Sequence, residues 1–149
     1  MNGDVELRKS VFGMPLPDCL VGSIKDHSWV NLAHSPMIET VFGQAPLRAV
    51  FHSIPVMVGM TKWWREELDD ELLRCYFGTP DERAGPGYIS RMKTVIIGNL
   101  GPDLPFALDY RESPVDPDVV FLGEVDSWRM IAGSVHDLMC ALDPQRLQS

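Results

Sequence analysis

The chain has 149 residues, the length of one ordinary domain, and a domain of that size buries roughly 68–70% of its unfolded surface, so it needs no disulfide or metal to fold. Its 13 basic and 21 acidic side chains leave a net charge of −8. This argues against a nucleic-acid binder, which needs clustered Lys and Arg for phosphate contacts, and suits either a basic partner or simple solubility.

Residues 1–14 read as a loose lead-in, 15–143 as a single domain and 144–149 as a tail. Asp4 and Glu6 interrupt the first ten residues, which lack the apolar core of a signal peptide. No apolar run approaches the roughly 18 residues that span a bilayer, so the expectation is a cytoplasmic protein. The spacing predicts a helix opening at Pro15-Leu16-Pro17, with Leu20, Val21 and Ile24 on its apolar face. Pro36, Gly43 and Pro46 break residues 27–46 into irregular chain. Val50, Phe51 and Ile54 favour a short strand within Leu47–Ile54.

A longer helix is expected from about Val56 to Tyr76. Met60, Trp64, Leu68 and Leu72 recur along one face, and Arg65, Glu66, Asp69 and Asp70 lie opposite. Asp69 or Asp70 could also cap a second, shorter helix. Trp63 points about 100° away from Trp64, so it is either core or an exposed binding anchor. Residues 78–92 are a loop rich in Gly and Pro.

The second half changes period. Thr94–Ile97, Phe106–Tyr110, Val119–Leu122 and Trp128–Ala132 read as strands. Their connections are too short for helical crossovers, which predicts an antiparallel meander. Ser134 then caps a final helix with Asp137 three residues on, and Val135, Leu138, Met139 and Leu142 form its apolar stripe.

No motif for chemistry stands out. Cys19, Cys75 and Cys140 are widely spaced, with no CxxC pair. His27, His34, His52 and His136 form no HxH or HxxxH pair, and a metal site needs three or four convergent ligands. Cys75 falls near an apolar stripe, whereas Cys140 falls off the stripe of its helix and is expected at the surface. Gly98-Asn99-Leu100-Gly101-Pro102-Asp103 lacks the ending of a phosphate loop and precedes a strand, so it reads as a tight turn. Asp103 and Asp109 would serve acid–base chemistry only if they converged on a cleft. The structural alternative is an Asp–Arg pair with Arg111, or a bond that stabilises the turn.

One block carries a resemblance. Val95-Ile96-Ile97-Gly98-Asn99-Leu100-Gly101-Pro102-Asp103-Leu104-Pro105-Phe106-Ala107-Leu108-Asp109-Tyr110-Arg111 resembles the central block of the SUKH superfamily, a strand ending in Ile-Gly followed by a "GxDxPxALDYR"-like turn and strand. Pro117–Leu122, Trp128 and Ile131–Met139 are similar to the strand, tryptophan and capped helix that close it. The match covers about residues 93–142, and Leu16-Pro17-Asp18 echoes the family's start. The resemblance implies an α+β fold, an antiparallel-rich central sheet with helices packed against it. It implies a non-catalytic domain without cofactor or metal that binds a protein partner.

Many bacterial members of the superfamily are immunity proteins that neutralise toxins, often nucleases, and an acidic inhibitor of a basic toxin domain agrees with the charge. The alternatives are an intracellular regulatory or scaffolding adaptor and an uncharacterised hydrolase. On charge and exposure, Trp63, Glu66, Asp69, Asp70, Asp81 and Glu82 are the candidate partner-binding residues. Gly98, Gly101, Asp103, Asp109, Tyr110, Arg111 and Trp128 belong to the family's structural block.

Overall fold

The computed structural model describes residues 9–67, 92–101, 104–122 and 128–144. Its centre is a five-stranded antiparallel sheet built from β3 (Val50–Phe51), β4 (Thr94–Asn99), β5 (Pro105–Asp109), β6 (Asp118–Leu122) and β7 (Trp128–Ala132), adjacent in that order. The last four strands form the expected meander, each pairing antiparallel with the next. With its helices the fold is α+β.

Both faces of the sheet are buried, which is why these strands read as nearly continuous apolar runs instead of alternating ones. Val95, Ile97, Phe106, Leu108, Val119 and Phe121 point into a large core. Ile96, Ala107, Val120 and Leu122, one residue out of phase, point into a smaller core with Trp64 and Trp128. The period of two along a strand assigns each side chain to its face.

The large core is roofed by α1 (Asp18–Lys25), α2 (Ser28–Asn31), α3 (Ile38–Phe42) and α5 (Val135–Leu142). The last of these follows its sequence pattern. Val135, Leu138, Met139 and Leu142 are buried, and the Ser134 hydroxyl accepts the Asp137 N–H at 3.0 Å, a cap worth about 1 kcal/mol. Phe42 stands edge-on to Phe106 and Phe121 at 5.0 and 5.1 Å.

Two side chains tie helix ends into this layer. Ser35 donates to the Leu142 carbonyl at the end of α5. Arg129 of β7 donates to the Phe42 carbonyl at the end of α3 and lies over the Phe121 ring. Both supply partners to carbonyls that a helix end leaves open.

Before α1 the structure departs from the sequence reading. Instead of loose chain up to residue 14, β1 (Ser10–Val11) pairs with β2 (Met14–Pro15), and Val11 is fully buried. Phe12 and Gly13 have φ of 51° and 80°, as a two-residue hairpin loop of type I′ requires. Pro15 therefore belongs to a strand, and Pro17 is the residue before α1. The irregular region 27–46 resolves into α2, a 3₁₀ turn at Leu32–His34, and α3. These pieces are too short for a sequence period to reveal.

The segment between β3 and β4 decides the architecture. α4 (Ile54–Lys62) starts at Ser53, whose hydroxyl accepts the Val56 N–H, and continues into a wider π-type turn at Trp63–Glu67. Its buried residues are Ile54, Met57, Thr61 and Trp64. Of the predicted stripe Trp64 is buried, and Thr61, which the stripe omitted, is buried as well. Met60 is half-buried, and Leu68 and Leu72 lie outside the described residues.

Ile54 and Met57 belong to the large core, and Trp64 to the small one. α4 therefore passes around the edge of β4 from one face of the sheet to the other. Midway, the Thr61 hydroxyl accepts the Ile96 N–H at 3.0 Å, where the two-residue β3 no longer reaches.

Thr61→Val keeps the shape but leaves the Ile96 N–H unpaired in a buried position, so it should cost about 1–3 kcal/mol. Thr61→Ser should recover most of that loss in urea unfolding. A second variant tests the sheet: a Cβ on Gly98 would stand 2.4 Å from the Phe106 ring and 2.5 Å from the Val50 carbonyl oxygen. Gly98→Ala should therefore destabilise by about 1–3 kcal/mol, read as a lower thermal midpoint.

Candidate functional site

Of the candidate partner-binding residues, Trp63 and Glu66 fall at the π-type turn. Trp63 is half-buried and packs beside Met60 against the Trp64–Trp128 core. Glu66 and its neighbour Glu67 are exposed. Asp69, Asp70, Asp81 and Glu82 lie outside the described residues, as does Asp103. The described part of the patch is an acidic pair next to a tryptophan that is anchored in the core.

Sequence reasoning did not connect this patch to the N-terminal hairpin. The Arg65 guanidinium lies over the Phe12 ring, 4.5 Å from its centroid, and Phe12 is 41% exposed at the hairpin tip. The stacked pair holds the hairpin against the turn and adds an aromatic surface to it. Phe12-Gly13 is not one of the Asn-Gly or Asp-Gly pairs that mark such a turn in a sequence, so only Gly13 hinted at the hairpin.

The described residues of the Gly98–Arg111 segment, and Trp128, have structural roles. Gly98 lets the Phe106 ring lie directly on the β4 backbone. Gly101 has a φ of +150° in the turn, where the Asn99 side chain accepts its N–H. Trp128 meets Trp64 edge-on at 6.0 Å, a pairing worth about 0.5–1.5 kcal/mol beyond the area it buries.

Tyr110 donates its hydroxyl to the Pro15 carbonyl at 2.6 Å, fastening the meander to the hairpin. Burial pushes that phenol well above its usual pKa. Asp109 and Arg111 form a two-pronged ion pair, with bonds of 3.0 Å from Nε to Oδ1 and 2.8 Å from Nη2 to Oδ2, and Asp109 also accepts the Arg111 backbone N–H. This is the Asp–Arg pairing that the residues suggested, local to the end of β5.

A second acidic corner lies beside it. Asp109 and Asp118 face each other across β5 and β6, and Glu112 and Asp116 are exposed on the connecting loop. The Asp118 carboxyl is held above its ordinary pKa, first by desolvation, then by Asp109, Glu112 and Asp116, with Arg111 working against them. Like charges directly opposite on a sheet repel, and the exposed Glu112 and Asp116 extend this negative field towards solvent.

The four histidines do not assemble. Among the described residues, no three His, Cys, Asp or Glu side chains stand close enough together to hold a metal ion. His52 is the unusual one. It is 7% exposed, and its backbone N–H donates to Ile97 while its carbonyl accepts from the Trp29 indole at 2.9 Å. Its Nε2 has no hydrogen-bond partner among the described residues.

Comparison with family models, with curated proteins and with solved structures returned no match. No helix among the described residues is long and apolar enough to cross a membrane.

Burial pulls the His52 pKa below its ordinary 6.5, so the folded protein holds this imidazole neutral while the unfolded chain protonates it near that value. The contribution to stability is complete above the unfolded pKa. It declines as pH falls from there to the folded pKa, where it levels off. Urea midpoints between about pH 8 and 5 should fall more for the wild type than for His52→Leu, by at most about 1.4 kcal/mol per pH unit. Equal slopes would assign the acid loss to another group.

Proposed function

We propose that this chain is a non-catalytic protein-binding domain that acts as an immunity-type inhibitor, neutralising a basic toxin domain of nuclease type in the cytoplasm. The observation that carries this reading is the use of the polar block at the end of β5. Asp109, Tyr110 and Arg111 are engaged with one another or with the backbone at the end of a strand, which agrees with a scaffold role of the kind the SUKH resemblance implies. The binding work then falls to the surface. Glu66 and Glu67, next to Trp63 and to the Arg65 that lies over Phe12, present negative charge next to aromatic area, and Glu112 and Asp116 add exposed negative charge on the β5–β6 loop. That combination suits a basic protein partner, because charge steers the encounter and a seated aromatic provides the anchor.

The test is an affinity pull-down of the tagged protein from its native lysate, with identification of what survives a salt wash. The expected result is one stoichiometric partner with a basic toxin or nuclease domain, whose activity the protein abolishes. Glu66→Lys combined with Glu67→Lys should slow association by roughly tenfold or more at low salt and leave the thermal midpoint close to wild type. Recovery of exchangeable cellular machinery alone would replace this reading with that of a regulatory adaptor. A complex indifferent to these charges would move the interface off the turn.

A further inference from the structure

One residue pins three elements at the corner between β3 and α4. His52 follows Phe51, the end of β3, and precedes Ser53, the cap of α4. Its N–H donates to the Ile97 carbonyl of β4, and its own carbonyl accepts the Trp29 indole N–H of α2, both at 2.9 Å. The residue is 7% exposed, and its Nε2 has no hydrogen-bond partner among the described residues.

That orphaned atom decides which form of the ring the corner tolerates. A neutral imidazole carries one N–H, which it can place on Nδ1, leaving Nε2 a bare lone pair. The imidazolium carries an N–H on both nitrogens. Protonation therefore adds a buried donor without an acceptor and a charge without a counter-charge. Among the described residues, the elements packed against the corner supply no carboxylate. β4 and α2 have no ionisable side chain, the 3₁₀ turn has His34 and α4 has Lys62, both exposed and both basic. Glu66 and Glu67 are exposed beyond the other end of α4, about three turns away.

We infer that His52 is an acid-sensitive latch: on gaining a proton it leaves its buried site and frees β3 and the β3–α4 corner from β4 and α2, while the β4–β7 meander stays folded. The release is local because β3 is the weakest pairing of the sheet. It meets β4 through two residues, whereas the meander strands pair along most of their length. Such edges open at lower free energy than the centre of a sheet. Two further ties bound the moving segment, the Arg48 N–H to the Leu100 carbonyl and the Ile96 N–H to the Thr61 hydroxyl, both at 3.0 Å.

The direction with pH follows from burial, which pulls the closed-state imidazole below 6.5, the value near which the open state titrates. Opening is least populated above that pH. Below it, the open population grows by up to about tenfold per pH unit and levels off at the closed-state pKa. The latch is independent of the partner-binding turn and does not rest on the function proposed above.

The test is amide and indole hydrogen exchange of the full chain, read by NMR between about pH 7.5 and 5 and corrected for the intrinsic pH dependence of exchange, since exchange reports local opening residue by residue. The His52 amide and the Trp29 indole N–H should lose protection by up to about tenfold per pH unit below the open-state pKa, while amides of the β4–β6 ladder keep theirs. His52→Leu should abolish that pH dependence. Titration of the ring protons of His52 in the wild type, which needs no variant, should give a midpoint below 6.5. A midpoint at or above that value, or protection at the corner that does not change with pH, would overturn the latch. So would a pH dependence that survives in His52→Leu. Loss of protection in step across the whole meander would overturn the local release and leave His52 a contributor to global stability alone.

Discussion

The architecture depends on how one free edge of the sheet is closed. β3 pairs with β4 through only two residues, so most of β4 would present unpaired backbone groups on that side. Buried backbone donors without partners are costly, and open edges invite wrong pairings. α4 solves both problems by lying along the edge. Thr61 supplies an acceptor to the Ile96 N–H, and His52 extends the β3 side with its own N–H to Ile97. An ordinary apolar residue at position 61 would have packed as well but left the donor exposed to nothing.

The same placement creates the second core. Because α4 crosses the edge, Ile54 and Met57 fall on one face and Trp64 on the other. Trp64 then meets Trp128, from the far edge strand. A single helix thereby clamps the two faces, and the π-type turn at Trp63–Glu67 follows where the chain leaves that clamp. The acidic patch proposed for partner binding sits on this turn, so its side chains are displayed from a segment anchored by a buried tryptophan. Arg65 adds the N-terminal hairpin to the same side through Phe12.

Electrostatics divides the carboxylates by role. Asp109 is almost buried and matched by Arg111, which holds the end of β5. Glu66, Glu67, Glu112 and Asp116 are exposed and contribute field more than fold, since solvent-exposed pairs carry little stability. Under the proposed function, these exposed carboxylates would attract a basic partner at long range and the aromatic groups at the turn would supply specificity.

How much of this was legible depended on the range of each interaction. The meander, the antiparallel pairing and α5 with its Ser134 cap follow from local rules: short Gly/Pro-rich connections, apolar runs, and a cap at fixed spacing. The Asp109–Arg111 pair was also within reach, because its partners are two residues apart. The hairpin at Ser10–Pro15 and the helical pieces between 27 and 42 were not, since each is too short to show a period. The apolar stripe of α4 took in Trp64 and the half-buried Met60 but passed over Thr61, because an apolar count ignores a threonine and only a strand thirty-five residues away gives its hydroxyl a buried partner. For the candidate site, Trp63 and Glu66 could be chosen from the sequence, whereas Phe12 and Arg65 could not be joined. The sequence by itself determined the strands, the last helix and the sign of the surface charge, all set by neighbours along the chain. Only the tertiary structure decided which face each tryptophan serves, how the edge of β4 is closed and that the His52 imidazole is buried at its corner, because those depend on atoms brought together in space.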